Sequence, residues 1–254
     1  MLRVAHRLAD AAGRAILPFF RADFSVENKE KGGFDPVTEA DRAAETAMRD
    51  VLAELRPDDG ILGEEFGTSA GSSGWQWVLD PIDGTRAFLC GAPSWGVLIG
   101  AGQGDAPEIG IVDQPFTGER WSGGPEGALF HHREATRAIS VRKGRGLREA
   151  VVLTTFPEVG SDAEGAAFRR VAERAQLTRY GLDCYAYMLL AMGQVDLVIE
   201  AGLKPYDIQG PMAVVAAAGG IVTNWQGGPA HQGGQVIAAG DPDLHAAALD
   251  LLAG

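Results

Sequence analysis

The sequence predicts a mixed α/β chain in two packed halves. Strand-like runs cluster between residues 75 and 142, and helix and strand alternate afterwards. With 254 residues, 46% of them hydrophobic, the chain holds one substantial globular unit or two intimate halves. The division falls near residues 140–150, giving an N-terminal half 1–145 and a C-terminal half 146–254. A chain of this length buries about 70–75% of the surface its unfolded form exposes, so stability requires neither a disulfide nor a structural metal.

Apolar residues at helical spacing over Leu2 to Phe20 predict an amphipathic first helix that ends near Pro18. Arg3, Arg7 and Asp10 interrupt what would be a signal-peptide core. Glu27 to Phe34 is charged and contains glycine, which suits a hairpin or mobile loop. Thr38 to Leu55 is the clearest helix, with Thr38 as cap and Pro57 closing it. Ser69 to Gly74 is a Ser/Gly loop. Strands are expected at Trp75–Leu79, Trp95–Ala101, Glu108–Asp113, Gly127–Phe130 and Val151–Thr155. Helices follow at Asp162–Ala175 and Asp183–Met192, a strand at 195–200, and a small-residue helix at Ile208–Ala218. Asp241 and Pro242 open the last helix as N-cap and first-turn residue.

Charge and cysteine usage exclude several classes. The 22 basic and 34 acidic residues leave a net charge of −12, which disfavours a nucleic-acid backbone or an anionic membrane as partner. Cys90 and Cys184 form no pair motif, so a reduced, cytoplasmic setting is expected. The apolar stretch Ala213–Val222 is too short and too glycine-rich for a membrane span. The five histidines show no paired metal spacing and are expected to be mostly solvated. Gly67-Thr-Ser-Ala-Gly71 matches a nucleophile-elbow pattern but lacks the strand and helix that pattern needs. No Walker or dinucleotide glycine motif is present, and Ile82 stands where an Asp-x-Asp phosphatase would have its second aspartate.

The segment Trp77-Val-Leu-Asp80-Pro-Ile-Asp83-Gly84-Thr85-Arg86 places two carboxylates at the C-terminal end of a strand, where α/β proteins build their sites. A helix opened by Thr85 would aim the Gly84 and Thr85 amides at an anion. Asp, Pro and Gly are equally the vocabulary of a plain turn. Gly63-Glu64-Glu65 upstream and Tyr206-Asp207 downstream add acids. A fold that joined Glu64, Asp80, Asp83 and Asp207 would need counter-cations, because two unit charges about 4 Å apart repel by roughly 4 kcal/mol at an effective dielectric of 20. Oxygen ligands without His or Cys select Mg²⁺ or Mn²⁺. Spacing leaves the bland readings standing: a solvated Glu64–Glu65 pair, Asp207 as an N-cap, and Thr38-x-x-Asp41 as a capping box that accounts for Asp41 and faces it outward.

Taken together, Asp35-Pro-Val-Thr-Glu-Ala-Asp41, Gly63-Glu64-Glu65, Asp80-Pro-Ile-Asp-Gly-Thr85 and Tyr206-Asp207 before a small-residue helix resemble the inositol monophosphatase superfamily over nearly the whole chain. The resemblance implies a layered αβαβα sandwich and a Mg²⁺-dependent phosphomonoesterase with two or three ions per site, Mn²⁺ being a possible substitute. It implies Glu64, Asp80, the Ile82 carbonyl, Asp83 and Asp207 as metal ligands, with Glu64 also catalytic. Asp41 and Thr85 become the pair that orients and deprotonates the attacking water, which reverses the reading of Asp41 from spacing. Tyr206 replaces the family's usual Trp. A homodimer acting on a small phosphorylated substrate is expected.

Within the superfamily the chain looks most like the histidinol-phosphate phosphatase branch. Asp83-Gly-Thr-Arg86-Ala-Phe88, Arg179-Tyr-Gly-Leu-Asp183-Cys-Tyr-Ala-Tyr187 and Asp196-Leu-Val-Ile-Glu200 carry that likeness. Gly84, Thr85, Arg86, Asp183 and Glu200 then become substrate contacts, with the two acids suited to a cationic substrate. Asp183 as a simple helix cap remains open. Arg86, Lys29 and Lys31 have no settled role. Alternatives are inositol-1-phosphate hydrolysis, a broader phosphatase, and a catalytically silent metal-binding or regulatory protein, the last disfavoured by the intact acid set.

Overall fold

Small apolar residues at helical spacing build the outer layer. Helix α1 (Leu2–Ile16) buries Ala5, Leu8, Ala9, Ala12 and Ile16 on one face. The computed structural model describes residues 1–22, 26–28, 36–104 and 106–254, with the backbone alone at 26–28 and 36–38. Strands β1 (Val26–Asn28) and β2 (Pro36–Thr38) pair antiparallel, while Lys29 and Lys31 lie outside the described residues. Helix α2 (Glu39–Leu55) buries Ala40, Ala44, Met48 and Leu52, a strict four-residue stripe, against α1.

Both helices cover one face of an eight-stranded sheet. Its strands are β3 (Gly60–Gly63), β4 (Gly67–Ser69), β5 (Trp75–Asp83), β6 (Gly96–Gln103), β7 (Ile109–Gln114), β8 (Glu119–Gly124), β9 (Gly127–His132) and β10 (Ala135–Ile139), in spatial order 10-9-8-7-6-5-3-4. The short helix α3 (Thr85–Leu89) follows β5. A second sheet, of order 12-11-13-15-14, comprises β11 (Val151–Thr154), β12 (Leu177–Tyr180), β13 (Leu197–Leu203), β14 (Ile221–Thr223) and β15 (Gly234–Ala239). Helices α5 (Asp183–Ala191) and α6 (Pro205–Ala217) lie between the sheets, and α4 (Asp162–Ala172) and α7 (Pro242–Ala253) cover the outside. The result is the expected five-layer αβαβα sandwich. Alternation along β6 shows why: Val97, Ile99 and Ala101 enter the α1–α2 core while Leu98 enters the core shared with α5 and α6.

The seat of α6 depends on glycines inside strands rather than in turns. A Cβ on Gly110 would stand 2.2 Å from the Gly210 carbonyl oxygen, and one on Gly123 would stand 2.6 Å from the Val214 Cα. The backbone of α6 therefore rests directly on β7 and β8, and this contact fixes where Asp207 enters.

Several local expectations change. The first helix stops at Ile16, since Pro18 cannot extend its hydrogen bonding. The late helix starts at Pro205 rather than Ile208, a good first-turn residue. Strands β4, β8, β10, β12, β14 and β15 carry weak local signals; β8 reads ERWSGG, and its buried Trp121 and Gly123 make it a strand by packing. The histidines are not mostly solvated. His245 is buried beside the Thr223 hydroxyl, and burial together with the Arg120 guanidinium lowers His6 to about 4. No helix among the described residues is long and apolar enough to cross a membrane.

Candidate active site

Strands β3 and β5 run parallel, as do β11, β12 and β13, and the C-terminal ends of both sets meet at one cleft of about 410 Å³. Glu64 arrives from the end of β3, Asp83, Gly84, Thr85 and Arg86 from the end of β5, and Asp207 from the first turn of α6. Thr155, Asp183 and Glu200 come from the second sheet's side. Residues spread over most of the chain thus share one cavity.

A backbone irregularity brings Asp80 and Asp83 together. Residues three apart on a regular strand point to opposite faces. The β5–β6 register shifts between Asp80 and Asp83, at Pro81 and Ile82. Trp77 and Leu79 enter the α1–α2 core, and the bulge returns Ile82 to that same core. Asp83 is thereby turned to the side that Asp80 occupies. Carboxylate oxygens of Asp80, Asp83 and Asp207 lie within 4.8 Å of one another.

These acids stand without enough counter-charge. Asp80 Oδ1 is buried with no hydrogen-bond partner. Desolvation and then the charges of Glu64, Asp83, Asp207 and Asp41 push the Asp80 carboxyl well above the usual range. Desolvation and the neighbouring Asp183 and Asp207 raise Asp83 as well, against the Cys184 amide that donates to its Oδ2 at 2.7 Å. Asp207 is lifted to about 7, chiefly by desolvation, while the Lys204 amide donates to its Oδ2 at 2.6 Å and opposes that rise. Asp207 therefore both caps α6 and joins the cluster. An orphaned oxygen in an all-oxygen, mutually repelling set fits a hard divalent cation.

Other expected residues take distinct places. Asp41 is 3% exposed in the first turn of α2 and its charge reaches Asp80, which corrects the outward-facing placement that spacing favoured. Glu64 lines the cleft and its charge acts on Asp80 and Asp207, but it stands outside the tightest trio. The Thr85 hydroxyl donates to the Ile82 carbonyl at 3.1 Å, tying those two together. Arg86 lies over the Phe156 ring at 4.8 Å and offsets the charge of Asp183. Sequence reasoning passed over Phe156 and Tyr187, both lining the cleft; the buried, unpartnered hydroxyl of Tyr187 feels the charges of Glu200, Asp83 and Asp207. Only their proximity in the fold marks them.

Asp183 does not cap α5. Leu182 is the N-cap, and no side chain bonds there. Asp183 adopts φ +47°, a conformation that costs a non-glycine residue roughly 1–2 kcal/mol. Burial raises its carboxyl to about 6. Its charge in turn reaches Glu200, which desolvation lifts to about 7 although the Thr155 amide and the Thr154 and Thr155 hydroxyls all donate to it. Two acids thus form one wall of the cleft. Gly84 faces them: at φ +80°, a Cβ there would sit 3.0–3.2 Å from the Asp183 side chain. Gly84→Ala is expected to cut kcat/KM by about tenfold or more, equivalent to the strain of one left-handed alanine. Steady-state kinetics showing an unchanged kcat/KM would contradict this.

The model of the inositol monophosphatase family matches residues 1–253. The bifunctional phosphatase IMPL2, chloroplastic, of Arabidopsis thaliana is 40% identical over 98% of this chain and 74% of its own length. A histidinol-phosphatase of Streptomyces coelicolor is 36% identical over 94% of this chain and 91% of its own. The solved structure of an inositol monophosphatase from Zymomonas mobilis is 41% identical, covers 99% of this chain and 97% of that one, and superposes with a TM-score of 0.88.

Proposed function

The chain belongs to the inositol monophosphatase family and is a phosphomonoester hydrolase, and we propose that it hydrolyses L-histidinol phosphate to L-histidinol and phosphate with Mg²⁺ as cofactor. The observation that carries the substrate choice is the acidic wall. Asp183, beside Asp83, and Glu200 line the same cleft as the carboxylate cluster. Histidinol phosphate bears an ammonium and an imidazole, and both find a carboxyl acceptor there. A neutral polyol would offer Asp183 no cation beyond Arg86. The name of the Streptomyces relative supports the same reading.

Asp80, Asp83 and Asp207, with Glu64 and the Ile82 carbonyl, would hold the metal. Bound divalent ions would supply neutralisation of phosphate charge and a more acidic water. The chain's own residues do the rest. The amides of Gly84 and Thr85, at the start of α3, bind phosphate oxygens. The Thr85 hydroxyl, donating to Ile82, presents its lone pairs to a water, and Asp41 accepts that water's proton. No covalent nucleophile is needed, because phosphoryl transfer rests mainly on positioning and electrostatic stabilisation.

Inositol-1-phosphate is the second reading, favoured by the name of the Zymomonas structure. A phosphate-release assay with Mg²⁺ over histidinol phosphate, inositol-1-phosphate, a sugar bisphosphate and 3′-phosphoadenosine 5′-phosphate separates the two. We expect the highest kcat/KM on histidinol phosphate and loss of all activity in EDTA. Equal or greater kcat/KM on inositol-1-phosphate would overturn the substrate assignment.

A further inference from the structure

Glu45 is fully buried on α2, and its carboxylate turns away from the cleft toward the β3–β4 connection. Its Oε2 accepts the Glu65 amide at 2.7 Å and its Oε1 accepts the Phe66 amide at 3.2 Å. These are the two residues that directly follow Glu64. The space is so filled that a Cβ on Gly63 would fall 1.9 Å from Glu45 Oε1, so Glu45 holds this pose only opposite a glycine.

The grip extends along the same helix. One turn on, the Arg49 guanidinium donates to Glu45 Oε1 at 2.8 Å, to the Gly67 carbonyl at 2.6 Å and to the Ser69 hydroxyl at 2.9 Å. One turn earlier, Arg42 pairs with Glu65 at 3.5 Å. Arg42, Glu45 and Arg49 are spaced three and four apart, which stacks them on one face of α2. On the other side the Glu64 amide donates to the Leu79 carbonyl of β5, one residue before Asp80. Asp41 stands on the turn of α2 that also carries Arg42.

We propose that Glu45, braced by Arg49, is a positioning residue that sets the β3–β4 turn so that Glu64 faces the carboxylate trio with the geometry a divalent cation requires. The assignment rests on Glu64 being a metal ligand. A buried carboxylate that accepts two consecutive backbone amides fixes the direction of the peptide planes on which Glu64 hangs. Outer-shell groups of this kind typically change metal affinity by 10–100-fold when altered.

The test measures Mn²⁺ binding to the full chain from loss of the free-ion electron paramagnetic resonance signal, beside thermal melting without metal. Glu45→Gln keeps the shape but surrenders the charge and the ion pair with Arg49; we expect Mn²⁺ affinity to fall about 10-fold. The Mg²⁺ concentration for half-maximal activity should rise by a similar factor, with kcat at saturating Mg²⁺ within about threefold of the parent, because added metal compensates for a misplaced ligand. Arg49→Ala, nearer the surface, is expected to show a two- to threefold loss in the same direction, and it keeps the question answerable should Glu45→Gln fail to fold. A purely structural role for Glu45 would lower the melting temperature and leave metal affinity alone. Folded variants that bind Mn²⁺ as the parent does would overturn the proposal. Glu64→Gln, run in parallel, separates the premises: if it too leaves binding intact, Glu64 is not a ligand, whereas if it alone weakens binding, only the role of Glu45 falls.

Discussion

Asp83→Asn should lower Mg²⁺-dependent phosphate release by at least about 100-fold, since even outer-shell partners of metal ligands cost 10–100-fold. The same variant should be at least as stable as the parent when metal is absent. Asparagine can still accept the Cys184 amide, so the local backbone has no reason to move. It removes a carboxylate held within 4.8 Å of two others. At an effective dielectric of 20 each such pair repels by roughly 4 kcal/mol before screening and protonation reduce it. The Asp80 carboxyl is pushed up first by desolvation and then by the charges of Glu64 and Asp83, so part of its displacement reflects that repulsion. Function and stability therefore pull in opposite directions at this residue. Scanning calorimetry makes the contrast measurable. A site at 100 times its dissociation constant in Mg²⁺ gains about 2.7 kcal/mol, so the parent's melting temperature should climb with added Mg²⁺. Asp83→Asn should lose most of that response. Full turnover in the variant, or an undiminished response to Mg²⁺, would refute the cage.

How far the site was legible depends on which residues are considered. Asp80 and Asp83 stood out because they close an apolar strand, and Glu64 and Asp207 joined them as acids of Gly63-Glu64-Glu65 and Tyr206-Asp207. Their convergence did not follow from spacing. Asp80 and Asp83 are an odd number of positions apart and belong on opposite faces of a strand; only the bulge at Pro81 and Ile82 reconciles them. Asp41 shows the reverse case, a first-turn residue that spacing faces outward and the fold buries, because burial against another element leaves no trace in an i, i+3 spacing. The order of helices and strands suggested two packed halves and the family resemblance implied the five layers, but β8, β12 and β15 were not foreseen. Their residues settle as strand in context: α6 packs on β8, β11 pairs with β12, and β13 and β14 flank β15. Glu45 escaped notice entirely. A glutamate on a helix reads as a solvated face until its carboxylate is found holding the Glu65 and Phe66 amides of another element.

At the second wall of the cleft, replacing Asp183 is expected to change preference rather than chemistry. Asparagine is the informative substitution. It tolerates the left-handed backbone at φ +47° about as well as aspartate does, whereas alanine adds strain that would blur the result. The change removes the charge and keeps the shape. A hydrogen bond to a charged group contributes about 1.5–3 kcal/mol, so kcat/KM for histidinol phosphate should fall roughly 10- to 150-fold. Inositol-1-phosphate offers Asp183 no cation, and its kcat/KM should move by less than about threefold. The ratio of the two substrates cancels losses common to both, including any disturbance of Gly84, which packs against this side chain. The ratio also carries a pH signature. Asp183 titrates at about 6, raised by burial against the pull of Arg86, so its charge is present above that pH and disappears as the pH falls through it. The parent's preference for histidinol phosphate should shrink between pH 7.5 and 5. The Asp183→Asn ratio should keep only the pH dependence that Glu200, at about 7, and the substrate's own imidazole impose. Equal losses for both substrates, or identical pH dependence of the two ratios, would remove Asp183 from substrate recognition and with it the physical reason for preferring a cationic monoester.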